Sequence, residues 1–312
     1  MHVPAHFRRS IPRLNPDSPS DTALLIARSI LLSANLAGHA PLLAHGEPEA
    51  VRHFLGERAN RGWFAAAARH HWTRRWLIAI EGSLLGGIFA HYLARKRWIE
   101  CEARRAIENR GIRQLVVLGA GYDSLGWRLC RDHRELRCFE LDHPATQRLK
   151  HAAPGSPEGF HLLPTDLATT LPEAMLAKCR PFDPAKPALV IVEGLTMYLD
   201  SGRVAELLAS CARIAGPRGS VIFTFMEKAA DGSCGFRGES SWIRRWLRWR
   251  KEPFHWGCTR AELPSFLKSL GLTPRLLADH ETLRAEILTP RDSAALPLAR
   301  GECLCLCTPL LP

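Results

Sequence analysis

From residue 115 onward, short apolar runs alternate with longer stretches in which apolar residues recur at helical spacing, as in residues 201–216. A parallel sheet with helices on both faces buries its strands, so such strands are short and almost continuously apolar. The pattern therefore predicts an α/β fold with a doubly wound, mostly parallel, seven-stranded sheet. The strands are expected at 115–119, 137–141, 160–164, 188–193, 220–225, 274–281 and 302–307.

The N-terminal third of the chain has a different pattern, which predicts helices rather than strands. Asp21 is a plausible N-cap for the apolar segment that follows it. No internal repeat or clean linker divides the chain, so we expect a single α/β domain over 21–312. Its expected parts are an N-terminal arm at 1–20, a helical cap at 21–110 and a lid insertion at 226–258.

One apolar stretch, residues 76–93, is flanked by basic residues and raises the alternative of a membrane span. Glu81, His91 and three glycines interrupt it, whereas a spanning helix usually needs ~20 predominantly apolar residues. We therefore expect buried or lid helices here.

Composition and charge narrow the class of protein without identifying a partner. The 312 residues are 46% hydrophobic, which predicts a packed core, and the net charge of +11 permits acidic ligands, nucleic acid or anionic membrane. Ten cysteines contain no C-x-x-C pair, and the N-terminus lacks the apolar segment of a signal peptide. Alternation places Cys303, Cys305 and Cys307 on one face of a strand as small buried residues. We expect a cytoplasmic protein without a metal site.

The segment Gly119-Ala120-Gly121 follows a predicted strand and precedes a predicted helix, the position of a nucleotide-binding turn. Asp142 lies 21 residues after Gly121, where an acid can accept hydrogen bonds from ribose hydroxyls. Ser124 replaces the third glycine of a dinucleotide fingerprint, and Asp123 would face a pyrophosphate. These features favour S-adenosylmethionine, which has a ribose and a sulfonium but no phosphate. A purely structural glycine turn is the alternative.

Five segments occur in order along the chain: "LVVLGAGYDSLGWRL", "FELDHPATQRLK", "LPTDL", "VEGLTMYL" and "EPFHWG". Together they resemble the leucine carboxyl methyltransferase family of class I S-adenosylmethionine-dependent methyltransferases. The similarity runs from about Asp21 to Thr308 and favours the family's bacterial small-molecule O-methyltransferase branch.

The resemblance implies a cofactor site at the carboxyl ends of the strands. Its residues would be Arg95 for the methionyl carboxylate, Gly119 and Gly121 for the turn, Asp142 for the ribose, Asp166 and Leu167 for the adenine, and Glu193 for the methionyl amino end. For most of these residues a purely structural role stays open. Arg95 belongs to a basic cluster typical of a solvated face, and Asp142 and Asp166 could each cap a helix.

The chain also departs from the family. Arg28 is the nearest candidate for the family's N-terminal basic residue, and Ala168 stands where phosphatase-methylating members carry an arginine. The second departure weakens the case for a protein C-terminus as the substrate.

No convincing His or Asp base motif is evident, so we assign catalysis to proximity and orientation and name no catalytic residue. A carboxylate acceptor needs no base, whereas a hydroxyl usually does. The leading hypothesis is O-methylation of a carboxylate or hydroxyl on a small molecule. The alternatives are a protein- or RNA-modifying enzyme of the same family and a catalytically inactive ligand-binding relative.

Residues 241–256 are rich in Trp and Arg, and Trp242 and Trp246 share one helical face. Packing of this helix as a lid is the plain interpretation. With Tyr198, the two tryptophans are the candidate substrate-binding residues. Tyr198 could equally be core. Membrane-surface contact by this helix is a minor alternative, and nucleic acid is not an expected partner.

Overall fold

The computed structural model describes residues 21–36, 38–60, 72–73, 87–151, 155–237, 254–289 and 296–310. Within these ranges the chain forms an eight-stranded sheet with helices on both sides. The predicted α/β fold with a mostly parallel sheet is confirmed. The predicted lid tryptophans, the 1–20 arm and most of the 76–93 stretch lie outside the described residues.

The strands begin and end close to the predicted positions. They are β1 (Gln114–Leu118), β2 (Arg137–Asp142), β3 (Phe160–Pro164), β4 (Ala188–Val192), β5 (Ser220–Glu227), β6 (Gly257–Cys258), β7 (Leu272–Ala278) and β8 (Glu302–Pro309). Two differences stand out. The two-residue β6 was not predicted, and β7 ends at Ala278 because the Asp279 carboxylate accepts hydrogen bonds from the backbone N–H groups of Glu281 and Thr282 and thereby starts a helix.

Nine α-helices occur within the described ranges. They are α1 (Asp21–Ser33), α2 (Glu47–Leu55), α3 (Ile88–Arg110), α4 (Leu125–Asp132), α5 (Pro144–His151), α6 (Pro172–Leu176), α7 (Ser201–Ala215), α8 (Leu263–Ser269) and α9 (His280–Ile287). The helices α1, α2 and α3 agree with the predicted helical character of 21–110. None of the helices described is long and apolar enough to cross a membrane. The boundaries of the cap, the lid and the domain remain predictions.

The sheet order is β3-β2-β1-β4-β5-β8-β7, with β6 paired to β5. Strands β1 to β5 are parallel, and β8 is antiparallel to both of its neighbours. The chain moves outward in one direction from β1 to β3 and then continues in the other direction from β4. The carboxyl ends of β1 and β4 therefore form the topological switch point, where ligands bind in open sheets of this kind.

Each face of the sheet packs against its own hydrophobic core. On β8 the predicted alternation is confirmed, because Cys303, Cys305 and Cys307 are buried in one core. Leu304 and Leu306 point into the other core. All ten cysteines are free thiols in the structure.

Candidate cofactor and acceptor site

The glycine turn after β1 lies at the switch point and requires glycine at two positions. Gly119 and Gly121 have φ values of 70° and 53°, a region that residues with a Cβ rarely adopt. The Gly119 N–H donates to the Leu141 carbonyl at 2.8 Å. A Cβ on Gly121 would lie 3.3 Å from the Ala23 Cβ, so α1 packs directly over the turn.

The helix that follows the turn, α4, has its N-terminus occupied by a carboxylate of the chain itself. Asp123 Oδ1 accepts a hydrogen bond from the Leu125 N–H at 3.0 Å, and Lys96 Nζ donates to Asp123 Oδ2 at 2.8 Å. Burial opposes ionisation of Asp123, but the Lys96 ammonium outweighs it and lowers the pKa of this carboxyl. A pyrophosphate would meet this negative charge, which supports the exclusion of a dinucleotide.

Asp142, at the end of β2, joins the strand to the glycine turn. Its Oδ2 accepts from the Gly121 N–H at 2.6 Å, and its Oδ1 accepts from the His143 N–H at 2.5 Å. Burial raises the pKa of Asp142, although these two bonds favour its charged form. His143 Nδ1, rather than Asp142, lies within hydrogen-bond distance of an N–H in the first turn of α5, that of Ala145 at 3.3 Å. Asp142 therefore does not cap α5, and the helix-cap alternative is wrong.

Asp166 and Leu167 follow β3 and lie beside Asp142, because the Thr165 N–H donates to the Asp142 carbonyl at 2.7 Å. Asp166 is exposed and its side chain accepts from the Ala168 N–H, whereas Leu167 is buried. Asp166 does not cap α6, which begins only at Pro172. The turn is held by Arg203 on α7, whose Nε and Nη2 donate to the Leu167 carbonyl at 3.1 and 2.7 Å.

Arg95 is buried on α3 and pairs with two acids. Its Nε and Nη2 donate to Glu193 Oε1 at 2.9 and 2.6 Å, and its Nη1 donates to both oxygens of Glu302 at 2.8 Å. Lys96 Nζ reaches the other Glu193 oxygen at 3.2 Å. The solvated-face alternative for Arg95 is wrong, since only 4% of its side chain is exposed. Desolvation opposes the charge of Arg95, but the two carboxylates raise its pKa.

Glu302, Lys96 and Arg203 are residues that the sequence did not single out. Glu302 opens β8 and is fully buried, and its other partner is His91 Nε2 at 3.1 Å. Burial opposes the ionisation of Glu302, but Arg95 and His91 lower the pKa to about 2. Glu302 begins a strand of alternating cysteine and leucine. Nothing in that local pattern indicates that its partners, His91 and Arg95, lie more than 200 positions earlier in the chain.

A cluster of aromatic and methionine side chains adjoins Arg95 through Tyr92, and we call it the aromatic cluster. It contains Tyr92, Met197, Tyr198, Met226, Phe236 and Phe254. The Arg95 guanidinium lies 4.5 Å from the centroid of the Tyr92 ring. Tyr198, a predicted substrate residue, packs against Phe254 with a centroid separation of 5.7 Å. Trp242 and Trp246, the other two, lie outside the described residues.

Two further observations concern Arg28 and metal binding. Arg28 on α1 is partly buried, and its Nε has no hydrogen-bond partner within the described ranges. The part of the chain that the structure describes contains no group of three or more His, Cys, Asp or Glu side chains that could hold a metal ion.

Comparison with known proteins gives consistent matches. The profile of the family described as "Leucine carboxyl methyltransferase" matches residues 48–212. A Streptomyces coelicolor protein named "Putative S-adenosyl-L-methionine-dependent methyltransferase" is 31% identical over 216 residues, 65% of this chain and 64% of its own length. A Frankia alni protein with the same description is 29% identical over 188 residues, 48% of this chain and 59% of its own length. The matches thus span less than two thirds of either relative.

A similar fold is found among solved structures. The crystal structure titled as a "putative methyltransferase" from Thermobifida fusca superposes with a TM-score of 0.57. The superposition covers 84% of this chain and 94% of that one, at 15% sequence identity. At this identity the likeness supports the fold alone.

Proposed function

Because the chain belongs to the leucine carboxyl methyltransferase family, we propose that it transfers a methyl group from S-adenosylmethionine to a carboxylate or hydroxyl oxygen of a small molecule. Membership confirms the predicted family, a family of enzymes, and its relatives carry the predicted cofactor in their names. The acceptor, the residue roles and the activity of this chain are our proposals.

The residues at the switch point fit this cofactor. Three acids, Asp142, Asp166 and Glu193, lie at the carboxyl ends of three strands, where an ammonium and a sulfonium favour negative charge. Asp123 occupies the helix N-terminus that a pyrophosphate would need. S-adenosylmethionine therefore suits the charges of the site better than NAD does.

Each predicted residue keeps a specific role in this proposal. Asp142 would bind the ribose hydroxyls, while Asp166 and Leu167 would meet the adenine, in the turn that Arg203 holds. Gly119 and Gly121 would let the backbone approach the cofactor closely. Arg95 and Glu193 form a matched cation and anion, and the methionyl group carries a carboxylate and an ammonium that can complement them.

The bound cofactor supplies the methyl group in an in-line displacement, and the protein positions the two reactants. Positioning of this kind can contribute about 7–11 kcal/mol to lowering the barrier. The bifurcated hydrogen bond from Arg95 Nη1 to both oxygens of Glu302 fixes the orientation of the guanidinium before a ligand arrives.

The aromatic cluster is the single observation that most favours a small-molecule acceptor. Its rings adjoin the Arg95–Glu193 pair through Tyr92, and aromatic side chains beside a few polar groups typically line sites for small organic ligands. Tyr198 would line this acceptor site, and Trp242 and Trp246 would close it. The free thiols agree with a reducing, cytoplasmic location, which also remains a proposal.

Calorimetry with S-adenosylhomocysteine, S-adenosylmethionine and NAD tests the cofactor half of the proposal. We expect micromolar binding of the first two and much weaker binding of NAD. Asp142→Asn removes a charged hydrogen-bond acceptor, which typically costs ~1.5–3 kcal/mol, or roughly tenfold to a hundredfold or more in Kd. The exposed Asp183→Asn is the matched control and should leave Kd unchanged.

Transfer of labelled methyl groups to fractionated small-molecule extracts, peptides and RNA then tests the acceptor. Label in the small-molecule fraction supports the proposal, and label confined to peptide or RNA would replace it with the alternative modifying enzyme. Tight cofactor binding with no transfer to any fraction would identify an inactive relative.

A further inference from the structure

His91 is a fully buried histidine in the first turn of α3, and a fully buried acid holds it. Its Nε2 lies 3.1 Å from Glu302 Oε2, with both side chains at 0% exposure. Its other ring nitrogen, Nδ1, is buried and has no hydrogen-bond partner among the described residues. A buried polar atom without a partner is costly, so such an atom needs a specific explanation.

The Glu302 carboxylate determines which nitrogen of His91 carries the proton. Because the pKa of Glu302 is lowered to about 2, its oxygens only accept hydrogen bonds near neutral pH. In neutral His91, Nε2 must then be the donor, which leaves a bare lone pair on Nδ1. This is the arrangement in which a carboxylate fixes the tautomer of a histidine base and stabilises the imidazolium that it becomes.

The ring of His91 lies beside the aromatic cluster of the proposed acceptor site. Its ring lies 6.0 Å from the Phe236 ring and 6.4 Å from the Tyr92 ring, both members of the aromatic cluster. Through Glu302 and Arg95 it connects to Glu193 at the proposed methionyl end. The acceptor oxygen must approach the sulfonium methyl group, which adjoins the methionyl end, so a base at this position is well placed.

We propose that His91 is the general base of the transfer and that the acceptor is an aromatic hydroxyl compound, a phenol. The inference rests on the proposed function and narrows it from a carboxylate or hydroxyl to the acceptor that needs a base. The orphan Nδ1 accepts the hydroxyl proton, and the aromatic cluster packs against the ring that bears it. Glu302 acts through His91 and is a positioning residue.

The step balances without a further reactant. The O–H bond of the phenol breaks and its proton moves to His91 Nδ1, while the oxygen forms a bond to the methyl carbon. The bond between that carbon and sulfur breaks with its electron pair on sulfur, which leaves the aryl methyl ether and S-adenosylhomocysteine. The Glu302 carboxylate stabilises the imidazolium until it returns its proton to solvent.

A binding measurement tests the proposal without turnover. The probe is 4-nitrophenol, whose phenolate is coloured, added to protein saturated with S-adenosylhomocysteine. We expect the bound phenol to ionise at lower pH in the wild type than in His91→Asn, by roughly one unit or more, a tenfold change in the ionisation constant. His39→Asn is the matched control, because His39 is also buried but has no carboxylate partner among the described residues.

A kinetic measurement uses labelled S-adenosylmethionine with phenols of graded acidity and with benzoic acids bearing the same ring substituents. We expect phenols to be methylated and benzoates not. His91→Asn should slow transfer to an ordinary phenol about 10²–10⁴-fold and transfer to the acidic 4-nitrophenol far less, since that acceptor ionises unaided. A structural defect would slow both equally. His91→Gln repeats the test if the Asn variant does not fold.

Three results would overturn the inference. They are transfer to benzoates rather than phenols, an equal loss for all phenols in the His91 variant, and no phenol bound or methylated by protein that binds S-adenosylhomocysteine. Failure to bind S-adenosylhomocysteine at all would instead overturn the proposed function.

Discussion

At the scale of single residues, neighbouring charges that look equivalent in sequence have different roles. Arg95 and Arg97 belong to one basic run, yet 4% of the Arg95 side chain is exposed against 39% for Arg97. Among the described residues, Arg97 makes one long contact, 3.8 Å to Glu100, and it is a surface cation. Arg95 neutralises the buried Glu302 and the partly buried Glu193, so its removal would leave uncompensated charge in the core.

A second buried pair, Glu140 and Lys150, contacts the segment that follows the glycine turn. Both side chains are 1% exposed, Lys150 Nζ lies 2.5 Å from Glu140 Oε2, and the same ammonium donates to the Asp123 carbonyl. Burial raises the pKa of Glu140 to about 7 even though Lys150 opposes this. Since the pKa is raised on folding, this carboxyl adds stability below its ordinary pKa of 4.5, and that contribution is lost as pH rises towards 7.

Replacing Glu140 by Gln should make the free energy of unfolding depend less on pH between about pH 5 and pH 7. Between about pH 5 and pH 7 the wild type should lose stability from this group, up to on the order of 3 kcal/mol, and the variant should not. Denaturant unfolding at several pH values measures the difference. Glu135→Gln, at a carboxyl that is 82% exposed, serves as the control. Parallel pH curves for wild type and Glu140→Gln would disprove the role of this carboxyl.

At the scale of elements, the contact between α1 and the glycine turn links the N-terminal helices to the cofactor site. Gly121 has positive φ, and a Cβ there would press on Ala23, while Gly111 has a similar φ of 66° in open space at the end of α3. An alanine at either glycine would strain the backbone, but only an alanine at Gly121 would also push against α1. Comparing the two variants therefore distinguishes the effect of strain from the effect of moving the helix. The Gly121 N–H also donates to the proposed ribose acid, Asp142.

Gly121→Ala should thus lower both the stability and the affinity for S-adenosylhomocysteine more than Gly111→Ala does. Each substitution should cost about 1–3 kcal/mol of backbone strain. Only Gly121→Ala should also displace α1 or the turn and weaken S-adenosylhomocysteine binding, by tenfold or more. Thermal unfolding and calorimetry measure the two effects. Equal cofactor affinity in the two variants would show that the packing of α1 on the turn is irrelevant to binding.

At the scale of the whole molecule, the site joins segments that are far apart along the chain. Arg95 from α3, Glu193 after β4 and Glu302 from β8 meet in one buried network. A ligand that contacts several of these segments stabilises the entire fold, because it binds only the folded chain.

S-adenosylhomocysteine at about 100 times its Kd should therefore raise the free energy of unfolding by about 2.7 kcal/mol and Tm by several degrees. At the same concentration 5′-methylthioadenosine, which lacks the amino acid part, should raise Tm less, because it cannot reach Arg95 and Glu193. Asp142→Asn should reduce both shifts. If the two ligands shift Tm equally, the Arg95–Glu193 pair does not bind the methionyl end.

Much of the fold was predictable from the sequence because local pattern determines it. Short apolar runs that alternate with helical stretches indicate buried parallel strands, and a glycine pair after such a strand indicates a ligand turn. The positions of Asp142, Asp166 and Glu193 at strand ends followed directly, since the carboxyl ends of parallel strands meet at one edge. The cofactor class followed from Ser124 and Asp123 at the turn, from the ribose acid Asp142 and from the family resemblance.

Only the tertiary structure decided which side chains face one another across the switch point. The pairing of Arg95 and His91 with Glu302 depends on β8 returning antiparallel between β5 and β7, so that its first residue meets α3. The aromatic cluster likewise combines α3 with the segments after β4 and β5. The periodicity of apolar residues predicts whether a residue is buried. It does not predict which distant residue that residue contacts, because such contacts depend on the order of the strands in space.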